Sequence, residues 1–349
     1  MQQGMYVVTL GTAGGPLIRR NTGNGHHNGI ATAIVVDSTC YLVDCGHGTV
    51  HGLAHAGLST RNLGAVFITH HHSDHVIDLN SVMVLGGLAL RGMEDRHIPI
   101  IGPGDRAILP PASYDGPTPE AVFPQEPTVG TRRLVELLLQ AHVTDLNDRR
   151  RDSRAPDMSQ IFQGVDIELP EDLGFHPDHN SHPPMEALTV YEDDKVTVTA
   201  ILVDHRPMAP AYAYRIDSAY GSVTVSGDTA PSDNLVTLAQ GSDLLLHEAI
   251  NLEAVAKSYP NATPKELEAS MGHHRRAHTT AQDAGRIAQR AQVSALALHH
   301  LVPASSPREV WLRAGQTYDG ALLIPQDHEV LTVQRGVVET AESSCATAT

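Results

Sequence analysis

Cysteine is scarce in this sequence, and its three cysteines do not form a recognisable site. Cys40, Cys45 and Cys345 are odd in number among 349 residues, and their spacing does not match a cysteine metal site. Such cysteines suit free thiols in a reducing compartment, because oxidising compartments favour disulfide pairs. We therefore expect a cytoplasmic protein.

Long hydrophobic runs are also missing. No apolar stretch approaches the roughly 18 residues of a membrane-spanning helix. Residues 1–5 lack the basic and apolar regions of a secretory signal and lead directly into a predicted strand. We therefore expect no contact with a membrane.

Basic residues are few relative to acidic ones. The chain has 24 lysines and arginines against 40 aspartates and glutamates, which gives a formal net charge of −16. A protein that grips a polyphosphate usually concentrates lysine and arginine. The balance disfavours nucleic acid as a partner, although a local basic groove can exist on an acidic molecule.

Histidine, in contrast, is abundant, and its densest group follows a short apolar stretch. Residues 65–68 are apolar and partly β-branched, which predicts a buried strand. His70, His72, Asp74 and His75 crowd into six residues shortly after it. Imidazole nitrogens and carboxylate oxygens are ligands of zinc and similar metals. In an extended segment His70 and His72 point the same way, and a helix beginning near Asp74 would turn Asp74 and His75 toward a second metal. The alternative is a polar loop in a histidine-rich chain.

This His-x-His-x-Asp-His pattern resembles the motif of the metallo-β-lactamase superfamily, and the likeness covers nearly the whole chain. It implies an α/β (α+β) fold, a four-layer αββα sandwich, with a dinuclear metal site at one edge where loops from both sheets meet. We expect a single domain over residues 1–349. Residues from about 105 to 187 are rich in proline and acidic residues, with helical periodicity only over 132–146. We interpret them as an insertion of helix and long loops that caps the active-site side.

Three further segments resemble the remaining metal motifs of the superfamily, each at the end of a predicted strand. They contain His205, Asp228 in a Gly-Asp-Thr turn, and the pair His299 and His300. Adjacent residues on a strand face opposite ways, so the pair is ambiguous. The alignment of residues 298–303 with the family pattern Leu-Thr-His-Phe-Ser-Pro favours His300.

By this resemblance seven side chains hold two divalent ions, and a hydroxide that bridges the ions is the nucleophile. We expect two zinc ions per chain, with manganese or iron as alternatives. One ion would be held by His70, His72 and His205, the other by Asp74, His75 and His300, with Asp228 as the bridge. Asp74 would also touch the nucleophile. Asp44 would accept a hydrogen bond from a ligand imidazole, or else would only cap a helix or a turn.

Two later segments, residues 247–250 and 278–281, look like signatures of the transfer-RNA 3′-processing endonucleases (ribonuclease Z). The resemblance implies that Glu248 orients His278 and that His278 protonates the leaving group. The alternative for His278 is a polar residue at the start of a helix.

The superfamily members most similar to this pattern are those endonucleases and the zinc-dependent arylsulfatases with related ester hydrolases. The bacterial endonucleases carry an arm that grips transfer RNA between the third histidine and the bridging aspartate. Only residues 206–227 separate His205 from Asp228 here, so that arm is absent from this place. With the acidic charge, this favours hydrolysis of a small-molecule ester: a sulfate, phosphate, carboxylate or lactone.

The alternative is a transfer-RNA 3′-processing endoribonuclease. A non-catalytic metal module is disfavoured by the complete ligand set, and a di-iron redox enzyme by the lack of an obvious flavin domain. The glycine-rich turn over residues 11–16 invites a dinucleotide interpretation, but its spacing does not fit and Pro16 stands where a helix would begin. The loop over residues 21–28 and the insertion would set the substrate, and the sequence leaves a homodimer open.

Overall fold

The computed structural model describes residues 3–16, 27–112 and 117–340. Most of the loop over residues 21–28, and Cys345, therefore lie outside the described residues. In the described ranges the strands are β1 Met5–Gly11, β2 Ala31–Val36, β3 Thr39–Val43, β4 Leu63–Phe67, β5 Ile98–Pro103, β6 Phe162–Ile167, β7 Leu188–Glu192, β8 Val196–Leu202, β9 Tyr212–Ser218, β10 Ser222–Val225, β11 Leu244–Ile250, β12 Ala295–Val302, β13 Ala321–Leu323, β14 Val330–Gln334 and β15 Val337–Thr340.

The same ranges contain α-helices and four short 3-10 helices. The α-helices are α1 Thr49–His55, α2 Ser73–Val76, α3 Leu79–Val84, α4 Thr131–Ala141, α5 Val143–Ser153, α6 Met158–Ile161, α7 Asp233–Ala239, α8 Leu252–Lys257, α9 Pro264–Ala277, α10 Ala281–Ala291 and α11 Arg308–Trp311. The 3-10 helices are Thr60–Asn62, Gly86–Leu90, Glu171–Leu173 and Leu312–Gln316. Within the described part of the chain, no helix combines the length and the apolar character needed to cross a membrane.

The strands form two mixed sheets. The first sheet has the order β15-β14-β1-β2-β3-β4-β5-β6, antiparallel from β15 to β3 and parallel from β3 to β6. The second has the order β13-β12-β11-β10-β9-β8-β7, parallel from β13 to β10 and antiparallel from β10 to β7. In both sheets the functional segments lie near or just after the ends of strands, where side chains are held on a rigid scaffold.

Side-chain alternation along the strands places one apolar core between the sheets and one on each outer face. In β4, Ala65 and Phe67 face the core between the sheets, whereas Val66 faces the helices. The core on the outer face of the first sheet is covered by α1, α3, α4 and α6. The core on the outer face of the second sheet is covered by α7, α10 and α11. The four layers are α, β, β and α, which confirms the predicted sandwich.

The segment over residues 105–187 departs from the prediction that it consists only of helix and long loops. The predicted helix over residues 132–146 is two helices, α4 and α5, separated at His142. The strand β6 was missed, and it pairs with β5 in parallel, so the segment extends the first sheet. Its sequence, Phe-Gln-Gly-Val-Asp-Ile, is only partly buried at the sheet edge, so its apolar pattern is weak.

Candidate metal centre

Loops from both sheets meet at one edge of the sandwich. The backbone N–H of Tyr212 in the second sheet donates to the carbonyl of Thr69, which follows β4 in the first, over 2.9 Å. The Tyr214 hydroxyl donates to the carbonyl of Ile68 over 2.8 Å. These bonds hold the segment after β4 against the ends of β8, β10 and β12, which carry the other predicted ligands.

The seven predicted ligands lie together at this edge, as two sets of three with Asp228 between them. In the first set, Nδ1 of His72 lies 3.0 Å from Nε2 of His70 and 3.0 Å from Nε2 of His205. In the second set, Nε2 of His300 lies 3.2 Å from Nε2 of His75 and 3.4 Å from Oδ2 of Asp74. In each set the donor atoms all lie within 4.8 Å of one another.

Asp228 lies between the two sets. Its Oδ2 is 4.0 Å from Nε2 of His70 and 3.8 Å from Nε2 of His205. Its Oδ1 is 3.4 Å from Nε2 of His75 and 3.2 Å from Nδ1 of His300. One carboxylate oxygen thus faces each set, which is the arrangement that a bridging ligand requires.

The donor chemistry of the cluster fits a pair of divalent cations. Oδ1 of Asp228 and Nδ1 of His300 are both buried and, although they are 3.2 Å apart, neither makes a hydrogen bond among the described residues, whereas buried polar atoms normally make one. Nitrogen and carboxylate oxygen donors at this density suit zinc, manganese or iron. The histidine and aspartate cluster is therefore consistent with a binuclear metal site.

The pKa shifts favour metal binding at His70 and His72 and oppose it at His75. Burial lowers the pKa of His70 well below its usual range, as do the neighbouring His75 and His205, and burial lowers the pKa of His72 to about 4. These rings are neutral and free to coordinate. Burial alone would lower the pKa of His75, but the charges of Asp228 and other carboxylates outweigh it and raise that pKa. A metal at His75 must displace a proton, so its affinity falls as the pH falls.

Asp44 fixes the orientation of His75. Its Oδ2 accepts from Nδ1 of His75 over 2.7 Å and from the hydroxyl of Thr69 over 2.8 Å, and its Oδ1 accepts from the backbone N–H of Thr69 over 2.8 Å. The Nδ1 proton on His75 leaves Nε2 pointing into the cluster. Asp44 therefore occupies the supporting position expected for it rather than capping a helix.

A β-bulge in β12 separates the roles of His299 and His300. The pairing of β11 with β12 shifts register after Glu248 and His299, and His300 has a positive φ of 44°. This conformation is uncommon for a residue other than glycine, and the bulge re-aims the side chain. The side chain of His300 points into the cluster of predicted ligands. The side chain of His299 lies outside this cluster, with its Nδ1 3.5 Å from the hydroxyl of Thr32.

His278 and Glu248 form a pair beside the cluster. Oε1 of the buried Glu248 lies 3.0 Å from Nδ1 of His278 and accepts from the backbone N–H of Thr229 over 3.0 Å. Nδ1 of His278 is 3.9 Å from Oδ2 of Asp228. Burial lowers the pKa of His278, but the charge and hydrogen bond of Glu248, with help from Asp228, outweigh it and raise the pKa to about 9. Burial raises the pKa of Glu248 in turn, against the opposing charge of His278.

The segment over residues 105–187 contacts the loops that carry the predicted ligands, and one such contact is His182 Nδ1 to Asp204 Oδ1 over 3.6 Å. Nε2 of His71 lies 2.9 Å from the hydroxyl of Thr131, at the start of α4. Arg106 donates to the carbonyl of Pro207 and to the carboxylate of Asp178, each over 2.7 Å. The segment therefore packs against residues next to the predicted ligands, and its role as a cap on the active-site side stays a prediction.

Solved structures share this fold. The Bacillus subtilis metallo-β-lactamase fold protein YhfI matches with a TM-score of 0.57 and 18% identity, over 93% of this chain and 98% of that chain. The short form of human tRNase Z matches with a TM-score of 0.58 and 18% identity, over 94% of this chain and 99% of that chain. This chain is a metallo-β-lactamase-fold protein.

The sequence of this metallo-β-lactamase-fold protein is also similar to that of ribonuclease Z. The Mycobacterium bovis ribonuclease Z (strain BCG / Pasteur 1173P2) is 28% identical over 307 residues, which cover 86% of this chain and 90% of the relative. Residues 10–88 match a family model described as anti-Pycsar protein Apyc1. The relationship to ribonuclease Z is therefore distant but spans most of the chain.

The glycine-rich turn of the metallo-β-lactamase-fold protein lies against the metal cluster, a role that its sequence did not indicate. The backbone N–H of Gly15 donates to Oδ2 of Asp74 over 2.9 Å. A Cβ atom at Gly14 would lie 2.3 Å from Cε1 of His300, closer than real Cβ contacts. Only glycine at position 14 leaves room for this ring, which explains the local sequence better than a nucleotide site does.

Gly14→Ala is expected to weaken metal binding roughly 10–100-fold, the loss that is typical when the surroundings of a ligand are altered. The added methyl group must displace the His300 ring. This ring is buried, so moving it costs free energy. Titration of the metal-free protein with zinc measures the effect. Gly315→Ala is the control, because its Cβ would meet only Leu322 at an ordinary 3.6 Å. Unchanged affinity in Gly14→Ala would contradict this role.

Proposed function

We propose that this protein is a dinuclear metal-dependent hydrolase that cleaves phosphodiester bonds, similar to ribonuclease Z. The observation that carries the proposal is the pair of His278 and Glu248 beside the metal cluster, because a proton donor next to two cations suits an alkoxide leaving group. The curated relatives named ribonuclease Z add support. They favour a ribonuclease Z-like phosphodiesterase over the first choice from the sequence, which was a hydrolase of a small-molecule sulfate, phosphate, carboxylate or lactone.

In this proposal seven side chains would hold two zinc ions. His70, His72 and His205 would hold one ion, Asp74, His75 and His300 would hold the other, and Asp228 would contribute to both. When bound, such cations act as Lewis acids on a phosphoryl oxygen and lower the pKa of water. The buried, mostly neutral histidines and the single bridging carboxylate support this division.

The side chains of the protein orient the ligand imidazoles, and one of them donates a proton to the leaving group. Asp44 keeps His75 in the tautomer that presents Nε2, and the carbonyl of Ala277 does the same for His205 by accepting from its Nδ1 over 2.8 Å. Hydrolysis adds water across a P–O bond and yields a monoester and an alcohol. His278 supplies the proton that the departing oxygen requires, and Glu248 stabilises the charged ring.

A second candidate is the hydrolysis of a small-molecule ester, and a specific feature of the fold favours it. The described residues between His205 and Asp228 form only the hairpin of β9 and β10, so no arm for transfer RNA occurs there. Together with the net charge of −16, this disfavours transfer RNA itself as the substrate.

A panel of four substrates separates the candidates. Zinc-loaded protein is expected to hydrolyse bis(4-nitrophenyl) phosphate with a higher kcat/KM than 4-nitrophenyl sulfate or 4-nitrophenyl acetate, because the site is built for a phosphoryl group. Preference for the sulfate or the acetate would replace the proposal with the second candidate. Precursor transfer RNA with a 3′ trailer is the fourth substrate, and we expect it to be processed slowly. Rapid multiple-turnover trimming would identify a ribonuclease Z in the narrow sense.

A further inference from the structure

A series of aromatic rings leads from the metal centre toward the surface. The ring centroids of His300 and His278 are 6.2 Å apart, those of His278 and His274 are 6.1 Å apart, and those of His274 and Tyr259 are 6.5 Å apart. The exposed fraction rises along the series, from 2% for the His300 side chain through 11% for that of His278 to 37% for Tyr259. The series thus begins at the cluster and ends at solvent.

His274 lies on α9, and Tyr259 lies in the short connection between α8 and α9. α9 begins with Thr263 as its N-cap, which forms a capping box with Glu266, and Pro264 is at the first position. α8 and α9 share a small apolar core of Ile250, Val255 and Met271. Because His274 precedes His278 by four residues, it lies one helical turn further from the cluster.

Within the outer pair, Tyr259 and His274 contact each other through their polar atoms. The Tyr259 hydroxyl lies 3.4 Å from Nε2 of His274. The His274 ring is uncharged at neutral pH, because burial lowers its pKa to about 4 and the neighbouring His278 adds to the effect. Arg275, the next residue along the helix, forms an ion pair with Glu268 over 2.9 Å. The outer end of the series therefore presents two aromatic rings, of which the imidazole is uncharged.

We infer that His274 and Tyr259 form a subsite that stacks on the base of a nucleoside leaving group. The inference rests on the proposed function, since it is His278 that would protonate the departing oxygen. A group attached to that oxygen must extend past His278, and the next rings outward are His274 and Tyr259. Every nucleobase has a flat face, so stacking on such rings is strong and tolerates different bases.

Two phosphodiesters with the same retained part test this subsite. Thymidylyl-(3′→5′)-thymidine and the methyl ester of thymidine 5′-phosphate both yield thymidine 5′-phosphate, and they differ only in whether thymidine or methanol departs. Both leaving groups are poor alkoxides that require a proton. The ratio of their kcat/KM values isolates what the enzyme gains from the departing nucleoside.

Tyr259→Ala is expected to lower this ratio about tenfold, mainly through a higher KM for the dinucleotide, because base–aromatic stacking is of this size. Tyr259→Phe keeps the ring and should keep the ratio within about twofold, since the hydroxyl is not needed for stacking. His274→Leu keeps the bulk of the side chain but removes the flat ring, so it should lower the ratio as Tyr259→Ala does. Zinc content is measured for each variant.

Other outcomes would overturn the inference in distinguishable ways. If the wild type cleaves both diesters and the ratio in Tyr259→Ala is unchanged, the subsite is wrong while the proposed function stands. If Tyr259→Phe loses as much as Tyr259→Ala, the hydroxyl contact to His274 matters and stacking does not. If the zinc-loaded wild type cleaves neither diester, the proposed function fails and the subsite fails with it.

Discussion

Asp228→Ala is expected to abolish turnover and to leave fewer than two metal ions on each chain. Each oxygen of Asp228 faces one set of donors, so the substitution removes a ligand from both ions at once. The loss should exceed the roughly 10–100-fold that follows when only a supporting partner of a ligand is removed. Elemental analysis and turnover of a phosphodiester measure the two effects.

Two further variants make this result specific. Asp74→Ala should also abolish turnover. Asp74 belongs to only one donor set, but it is also expected to contact the nucleophile. Asp243→Asn is the control. Asp243 is a buried carboxylate that accepts from the backbone N–H groups of Ser222 and Gly336 at the opposite end of β11, so both metals should remain. Near-native activity of Asp228→Ala with two bound metals would show that the ligand set is wrong.

His278→Ala is expected to retain both metals and to lower kcat by roughly 10²–10⁴ for substrates with poor leaving groups, the usual contribution of a general acid. The loss should be much smaller for a nitrophenyl ester, whose leaving group departs as a stable anion. His278 lies within 4.8 Å of donor atoms on His205 and Asp228, so a ligand role is the competing explanation. A lost ligand would reduce turnover of both substrates and the metal content alike.

The pH profile and a control variant complete this test. A general acid works only while protonated, so turnover of the poor leaving group should decline as the pH rises through the pKa of His278. That pKa is about 9 without cations, and two bound cations would lower it, since they disfavour a further positive charge. His278→Ala should lose this decline. His97→Ala is the control, because His97 lies at the start of β5 with its Nδ1 near the carbonyl of Gln160, and it should keep the wild-type profile.

Much of the site could be predicted because its residues lie near or just after the ends of strands that local sequence patterns predict. The apolar stretch before His70 and the dense ligand motif after it can be recognised without any tertiary information. The family resemblance then supplied the distant residues His205, Asp228 and His300, and the structure brings all of them to one sheet edge. The pairing of Glu248 with His278 was likewise expected and is present over 3.0 Å.

Features that depend on register could not be predicted in the same way. Simple alternation cannot decide between His299 and His300, because the bulge that re-aims His300 arises only from the pairing of β12 with β11. The edge strand β6 was missed because only its ends are buried. Its place in the sheet is decided by backbone pairing with β5, to which side-chain patterns contribute little.

The sequence by itself determined the ligand types and their order along the chain, and its motifs carried the resemblance that implied the fold class. Only the tertiary structure decided how distant segments meet. It placed Gly14 against His300, 286 residues away along the chain, one oxygen of Asp228 opposite each donor set, and Arg106 against the loop after His205. Such contacts depend on how two sheets pack and on where a Cβ atom would collide. No local pattern encodes these quantities, because they arise only when the sheet edges are brought together.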